Sequence, residues 1–143
     1  MDTKRTDIEL SPDILVQSEE TPRSDRHHSI LIAEDVYENY FLLETLFGKQ
    51  YQLYHALNGQ EAIDMFETYH PDLILMDIKM PVMDGFEATR RIRTLSKTIP
   101  IIALTAFAFE REKEIAKQCE FTDYVVKPID IKELKKLIAK VLA

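Results

Sequence analysis

The sequence has one cysteine, Cys119, in 143 residues, so no intramolecular disulfide can form. Cys119 lies in a segment of helical pattern, where we expect a small buried hydrophobic residue rather than a reactive thiol. Long apolar runs are also absent: the longest, around residues 101–109, is far shorter than the roughly 18 residues needed to cross a bilayer. The N-terminus lacks the apolar core of a signal peptide, so we expect a cytoplasmic protein.

Basic residues are too few for a nucleic-acid surface. The chain carries 18 Lys and Arg against 25 Asp and Glu, with a formal net charge of −7. Phosphate binding on DNA or RNA needs clustered positive charge, which this composition does not favour. We therefore expect acidic chemistry or protein partners.

The first 28 residues differ in pattern from the rest of the chain. Residues 1–28 mix both signs of charge with Pro and Ser and have no sustained apolar period, which predicts a linker or flexible N-terminal tail. The His27–His28 pair within it is expected to be solvated rather than metal-binding. From Ser29 onward, short apolar runs alternate with segments of helical period, which predicts one domain over residues 29–143.

Five strands and five helices are predicted to alternate in this domain. The predicted strands are residues 29–33, 51–56, 73–76, 101–104 and 123–126. The predicted helices lie at residues 36–47, 62–69, 86–95 and 108–119, with a last one after an N-cap at Asp130. Asn58–Gly59 is typical of hairpins, but the helical spacing behind it favours a strand-to-helix turn. In the first helix we expect a core stripe of Leu42, Leu43, Leu46 and Phe47, beside an extra apolar pair, Tyr40 and Phe41.

The alternation of strand and helix predicts the fold class. Strands that are apolar throughout fit a parallel sheet covered by helices on both faces. We expect a flavodoxin-like, doubly wound, five-stranded sheet with strand order 2-1-3-4-5. In such sheets the binding crevice lies at the carboxyl ends of the first and third strands.

Polar residues follow four of the predicted strands at that edge of the sheet. Strand one is followed by Glu34 and Asp35, strand three by Asp77, strand four by Thr105 and strand five by Lys127. Three carboxylates, one hydroxyl and one ammonium group should therefore converge in the crevice. Polar residues scattered over a protein surface would not be expected to stand directly after four different strands.

The charge of this cluster predicts a metal ion and a reaction. Two carboxylates about 4 Å apart repel by roughly 4 kcal/mol at an effective dielectric constant of 20. Lys127 offsets one negative charge, and a divalent cation would offset two more; an all-oxygen site open to water favours Mg²⁺. The neutral pocket can accept a phosphoryl group, with Thr105 donating a hydrogen bond. The carboxylate of Asp77 is the natural nucleophile, because aspartyl phosphate is an established type of covalent intermediate.

From about residue 29 to 142 the chain resembles response-regulator receiver domains. The resemblance rests on the ordered segments "ILIAED", "LILMDIKMPVMDG", "IIALTA" and "DYVVKPI". It implies that Asp77 accepts the phosphoryl group and that Glu34, Asp35, Asp77 and the backbone carbonyl of Lys79 hold Mg²⁺. It also implies that Thr105, Lys127 and the backbone N–H of Ala106 bind the phosphoryl group, that Tyr124 is the switch aromatic, and that Lys127–Pro128 is a cis peptide.

Two positions depart from the family pattern. Glu120 stands where the family often has glycine, which leaves the loop after the fourth helix in question. Glu34 replaces the commoner Asp of the acidic pair, and it can reach the metal through water.

Other function classes fit less well. A haloacid-dehalogenase-type phosphatase would need an acid two residues after Asp77, where Lys79 stands. A receiver-like module without phosphorylation would lack part of the acid set, and none is missing. A flavin-binding flavodoxin would need a phosphate-cradling loop after strand one, and none of the three glycines lies there.

The expected partner is a helical bundle that presents a phosphohistidine, in a histidine kinase or a histidine phosphotransfer protein. The linker-like N-terminus and Asn39 favour the C-terminal receiver of a hybrid histidine kinase, with a stand-alone single-domain regulator as the alternative. Because no segment follows the fifth helix in this sequence, we expect output through contacts. Lys79 and Phe107 cannot orient an attacking water by accepting its hydrogen bond, so we expect a long-lived phosphorylated form.

Overall fold

The computed structural model describes residues 28–106 and 110–143 of the chain. The predicted linker lies outside the described residues, except for its last residue, His28. Phe107 also lies outside them. The strands are β1 (Ser29–Ala33), β2 (Gln52–Ala56), β3 (Leu73–Asp77), β4 (Ile101–Thr105) and β5 (Asp123–Val126). The helices are α1 (Tyr37–Phe47), α2 (Gly59–Tyr69), α3 (Gly85–Leu95), α4 (Glu110–Gln118) and α5 (Ile131–Leu142).

The five strands form one parallel sheet in the order β2-β1-β3-β4-β5, which confirms the predicted flavodoxin-like topology. From β1 the chain connects first to β2 on one side, and from β3 it continues to β4 on the other side. The carboxyl ends of β1 and β3 therefore border a crevice. The register places Ala33 of β1 opposite Met76 of β3, and Asp77 of β3 opposite Leu104 of β4. The polar residues that follow β1 and β3 therefore begin at nearly the same height.

Two apolar layers cover the sheet, one on each face. Successive side chains of a strand point to opposite faces, and β1 follows this rule. Ile30 and Ile32 pack in the cluster that includes residues of α1 and α5, whereas Leu31 and Ala33 pack with residues of α2 and α3. β1, β3 and β4 are buried almost throughout, while the edge strand β5 buries only Val125.

Among the helices whose first residues and caps the structure describes, three begin with a side-chain cap. The side chains of Asn58, Asp84 and Asp130 accept hydrogen bonds from the backbone N–H three residues further on, at 2.9, 2.9 and 3.2 Å. Such bonds satisfy an N–H group that has no partner within the helix. Both the strand-to-helix turn predicted at Asn58 and the N-cap predicted at Asp130 are confirmed. Within the described residues, no helix is long and apolar enough to cross a membrane.

The prediction for the core face of α1 was partly wrong. Tyr40 is buried with 7% of its surface exposed, whereas Leu42 is 50% exposed. Leu43 and Phe47 are buried as predicted. The buried stripe runs through Tyr40, Leu43 and Phe47 at helical spacing, and this phase turns Leu42 away from the sheet.

The loop after α4 adopts the conformation that a glycine would favour. Glu120 has a φ of 65°, in the left-handed region, although it carries a side chain. Its backbone carbonyl accepts a hydrogen bond of 2.9 Å from Nε of Arg93. Cys119, just before it, is buried, and burial raises the pKa of its thiol. The replacement of glycine by Glu120 therefore leaves the turn in place.

Val82 has a strained backbone conformation, and its side chain is mostly exposed to solvent. It has a φ of 69° and is 83% exposed, between β3 and α3. A left-handed conformation costs an L-residue roughly 1–2 kcal/mol, and branching at Cβ adds to the strain. We expect Val82→Gly to raise the free energy of unfolding by about 1 kcal/mol, after the greater freedom of glycine in the unfolded chain is included.

Denaturant titration of the variant and parent measures this gain. Val82→Ala is the control, because it removes most of the side chain but keeps the Cβ atom. We expect Val82→Ala to gain less than half as much. Equal gains in the two variants would show that strain at Cβ is not the cause.

Candidate functional site

The site forms where the carboxyl ends of the strands meet. β3 ends at Asp77 and β4 at Thr105, while Glu34 and Asp35 directly follow β1 and Lys127 directly follows β5. One carboxylate oxygen from each of the three acids lies within 4.8 Å of those of the others. The predicted convergence of the acids is therefore present in the structure.

Lys127 contacts two of the three acids. Its Nζ lies 3.2 Å from Oδ2 of Asp77 and 3.7 Å from Oε1 of Glu34. Both carboxylates are nearly inaccessible to solvent, whereas the Lys127 side chain is partly exposed. The backbone N–H of Lys127 donates to the carbonyl of Thr105 at 2.7 Å, which holds this residue beside β4. One cation thus faces two buried carboxylates, with a third acid close by.

The surroundings of Glu34 raise the pKa of its carboxyl group. Oε2 accepts hydrogen bonds from the backbone N–H of Val36 at 3.1 Å and from the Asn39 amide at 3.4 Å. Burial, followed by the nearby Asp77 carboxylate, raises the pKa of Glu34 to about 7; the Val36 N–H and Lys127 oppose the rise only in part. Burial and the neighbouring Asp77 carboxylate both disfavour a negative charge on Glu34, and Lys127 offsets them only in part.

This pKa predicts a pH dependence of stability without added metal. The pKa of Glu34 is about 7 when folded and 4.5 in its unperturbed state, so the folded protein binds more protons between these values. The contribution of Glu34 to the free energy of unfolding is therefore largest below pH 4.5. It decreases as the pH rises from 4.5 through 7 and is smallest above pH 7. Relative to the parent, Glu34→Gln should be more stable at pH 8 by up to about 3 kcal/mol, and nearly equal at pH 4.5.

Urea denaturation of both proteins in a chelator, at pH 4.5 and pH 8, measures the difference. Glutamine still accepts the Val36 hydrogen bond, so the comparison isolates the charge. Addition of Mg²⁺ at pH 8 should stabilise the parent more than Glu34→Gln. A difference in stability that does not change with pH would contradict the assigned titration of Glu34.

The turn after Asp77 explains the "MPVMDG" segment. Gly85 donates its N–H to the carbonyl of Ile78 at 2.8 Å, and a Cβ at this position would overlap the carbonyl oxygen of Asp77. Asp84 caps α3 immediately afterwards. A residue without a side chain is therefore needed where α3 begins, because the chain returns so closely to the end of β3.

The other predicted site residues lie around this centre. Lys79 is exposed and, with Asp35, lines a depression of about 440 Å³. Thr105 is buried, and Ala106 after it is exposed. Tyr124 lies on β5 and is 42% exposed. The Lys127–Pro128 peptide is cis, as the resemblance implied. Phe107 lies outside the described residues.

Two contacts at the site were not predicted from the sequence. The amide of Asn39 donates a hydrogen bond to the Glu34 carboxylate. Nε2 of His55 lies 2.8 Å from the backbone carbonyl oxygen of Glu34. The available signal was a histidine in strand β2, between Tyr54 and Ala56, at the register position opposite Ile32 of β1.

The donor set fits Mg²⁺. All three acids offer carboxylate oxygens, which are the ligands that hard divalent cations prefer. Three carboxylates face the single ammonium of Lys127, so the cluster carries more negative than positive charge when all three acids are ionised. A divalent cation held by Glu34, Asp35 and Asp77 would supply the missing positive charge.

Comparisons with known proteins agree with this site. The sequence model described as "Response regulator receiver domain" matches residues 30–139. Regulatory protein AtoC of Escherichia coli (strain K12) is 38% identical over 114 residues, which cover 79% of this chain and 25% of AtoC. Sporulation initiation phosphotransferase F of Bacillus subtilis (strain 168) is 34% identical over 117 residues, which cover 81% of this chain and 94% of that protein.

A solved structure extends the comparison to three dimensions. The receiver domain of sensor histidine kinase PA1611 from Pseudomonas aeruginosa PAO1, with a magnesium ion coordinated in its active-site cleft, has a TM-score of 0.76. It is 33% identical in sequence, and the match covers 82% of this chain and 98% of that chain. Sequence and fold therefore indicate the same family.

Proposed function

Because the chain belongs to the response-regulator receiver domain family, we propose that it is the phosphoacceptor of a two-component phosphorelay, with Asp77 as the residue phosphorylated. One observation carries this proposal. A buried carboxylate at the end of β3 lies 3.2 Å from the ammonium of Lys127 and close to two further acids. That arrangement supports in-line transfer to Asp77, which depends mainly on positioning and charge neutralisation.

The proposed step exchanges one bond at phosphorus for another. An oxygen of Asp77 attacks the phosphorus of a phosphohistidine, a P–O bond forms, and the P–N bond breaks as the histidine imidazole leaves. Lys127 offsets charge on the phosphoryl oxygens, while Thr105 and the N–H of Ala106 donate hydrogen bonds to them. Glu34, Asp35, Asp77 and the Lys79 carbonyl would hold Mg²⁺, which would supply the remaining positive charge.

Removal of the metal tests the proposal. We expect acetyl phosphate to add one phosphoryl group to the chain in Mg²⁺, detected by intact-protein mass spectrometry. Excess EDTA should abolish the addition, and Mg²⁺ in excess of EDTA should restore it. Labelling that persists at full rate in the chelator would mean that the acid cluster does not act through a cation.

Phosphorylation is proposed to switch the surface formed by α4, β5 and α5. Thr105 would move towards the phosphoryl group and Tyr124 would turn inward from its partly exposed position. A shift from 1:99 to 99:1 between two states needs about 5.5 kcal/mol of differential binding, which a few charge-assisted hydrogen bonds can supply.

Thr105→Ala should therefore accept phosphate and yet switch poorly. We expect beryllofluoride, a phosphoryl mimic, to shift amide NMR signals of α4 and β5 in the parent, and to shift them much less in the variant. Thr98→Ala, at an exposed loop position, is the matched control. Equal shifts in parent and Thr105→Ala would contradict a role for this hydroxyl in switching.

The long lifetime of the phosphorylated form stays a prediction. Its support from the described residues is Lys79, which is exposed beside Asp35 and can donate but not accept hydrogen bonds. Slow hydrolysis would suit transfer of the phosphoryl group onward to a histidine. The chain would then catalyse its own phosphorylation while acting mainly as a signalling switch.

The proposed partner surface is the exposed side of α1. Four apolar residues there are 43–61% exposed: Val36, Tyr37, Phe41 and Leu42. Leu42 also lines a largely apolar pocket that extends to Lys127 and Pro128. A helical bundle seated on these residues would bring its phosphohistidine beside Asp77. We propose the receiver of a hybrid histidine kinase, with a stand-alone cytoplasmic regulator as the second candidate.

A further inference from the structure

We propose that His55 is a positioning residue for the acidic pair, because it holds the peptide group that joins Glu34 to Asp35. This inference rests on the proposed function, in which both acids bind Mg²⁺. His55 lies on β2 and contacts neither Asp77 nor Lys127 in any described hydrogen bond. Its effect on the site therefore passes through the backbone of Glu34.

The hydrogen bond has a defined direction. Nε2 of His55 lies 2.8 Å from the carbonyl oxygen of Glu34. A carbonyl oxygen can only accept, so Nε2 must carry the hydrogen. The contact therefore selects the Nε2–H tautomer of the imidazole, and it satisfies a carbonyl group beyond the end of β1.

Stacking on α1 fixes the plane of the imidazole. The rings of His55 and Tyr40 lie with their centroids 3.7 Å apart and their planes 3° from parallel. Tyr40 is buried, so its ring has little freedom to move. The imidazole is held by the Tyr40 ring of α1, and its Nε2 is directed at the carbonyl of Glu34, which follows β1.

The peptide group transmits this constraint to both acids. The carbonyl of Glu34 and the N–H of Asp35 belong to one planar unit, so fixing the carbonyl also fixes the direction in which Asp35 leaves the strand. On the other side of Glu34, its own N–H donates to the carbonyl of Ala56 at 3.0 Å. β2 thus holds the Glu34 backbone at two points, one through the main chain and one through His55.

Two substitutions separate the hydrogen bond from the ring. His55→Phe keeps an aromatic ring against Tyr40 but cannot donate, whereas His55→Gln keeps an amide donor at about the distance of Nε2. Partners that orient metal ligands typically change metal affinity 10–100-fold when they are removed. We expect Mg²⁺ affinity to fall about tenfold in His55→Phe and by no more than about threefold in His55→Gln.

Amide NMR titration of the intact chain with Mg²⁺ measures these affinities. Tyr54→Phe is the control for a change in β2, because its ring stacks on Tyr69, with centroids 4.2 Å apart, and phenylalanine preserves that stack. We expect its affinity to equal that of the parent. Thermal unfolding of each variant confirms that titrations are made on folded protein.

Two spectroscopic measurements test the contact without metal. Nitrogen-15 NMR should show the Nε2–H tautomer of His55, and the carbonyl carbon signal of Glu34 should shift in His55→Phe and recover in His55→Gln. An Nδ1–H tautomer, or an unchanged carbonyl signal in His55→Phe, would overturn the proposal.

The Mg²⁺ titrations distinguish the two proposals. If the parent binds Mg²⁺ and folded His55→Phe binds it equally well, the role of His55 is wrong and the proposed function stands. If the parent binds no Mg²⁺, the proposed function and the positioning role both fail.

Discussion

Replacement of Asp77 by asparagine is expected to abolish covalent phosphorylation of the chain. Asparagine keeps the size of the side chain and an oxygen that can accept from Lys127, so the fold should be preserved. Its amide oxygen carries no negative charge and is a poor nucleophile. With acetyl phosphate or a phosphohistidine donor in Mg²⁺, intact-protein mass spectrometry should find the phosphoryl adduct in the parent and none in Asp77→Asn.

Asp84→Asn is the matched control for this experiment. Asp84 lies on the same turn and caps α3, and asparagine is an equally good N-cap. This variant should be labelled to the same extent as the parent. The adduct in both should be cleaved by hydroxylamine, as an acyl phosphate is. Normal labelling of Asp77→Asn would show that another side chain is the acceptor.

Replacement of Arg93 by methionine is expected to lower the free energy of unfolding by about 4 kcal/mol. Arg93 is only 6% exposed, and its guanidinium donates to the carbonyl groups of Ser96, Ile99 and Glu120, at 3.2, 2.7 and 2.9 Å. It thereby ties α3 to the loop before β4 and to the turn after α4. Methionine would remove the donor from one buried carbonyl, that of Ile99, and from two partly buried ones. An unsatisfied buried group costs about 1–3 kcal/mol, and the two partly buried groups add less each.

Arg91→Met, two residues earlier on α3, is the control for loss of charge. Arg91 is exposed and pairs with Glu87 at 2.9 Å, an interaction between exposed groups that is worth at most about 1 kcal/mol. Denaturant titration should therefore give a large loss for Arg93→Met and a small one for Arg91→Met. Losses of similar size would contradict the assigned role of the three carbonyl contacts.

Much of the fold and the centre of the site could be predicted from local sequence. Wholly apolar runs that alternate with helical periods give parallel strands, and parallel strands bring the residues after their carboxyl ends to one edge. These two rules predict that Glu34, Asp35, Asp77 and Lys127 lie close together. The caps at Asn58 and Asp130 could also be predicted, because each depends on residues only three positions apart.

Residue type alone could not determine which face of α1 is buried. Tyr40, Phe41, Leu42 and Leu43 are all apolar, so the sequence permits several helical phases. The fit against β1 and α5 selects the phase in which Tyr40 and Leu43 are buried and Leu42 is exposed. The same phase places the Tyr40 ring on His55.

The sequence by itself predicted the alternation of elements and the acids that meet at the sheet edge, because these follow from periodicity and from residues adjacent to strand ends. The strand order 2-1-3-4-5 was the leading topology for such an alternation, and the strand pairing in the structure confirms it. Only the tertiary structure decided that His55 bonds the Glu34 carbonyl, that Arg93 joins three carbonyl groups, and that the pKa of Glu34 rises to about 7. The physical reason is that these features depend on distances and burial between segments far apart in the chain. Hydrogen bonds and charge interactions change steeply with both, and residue order does not specify either.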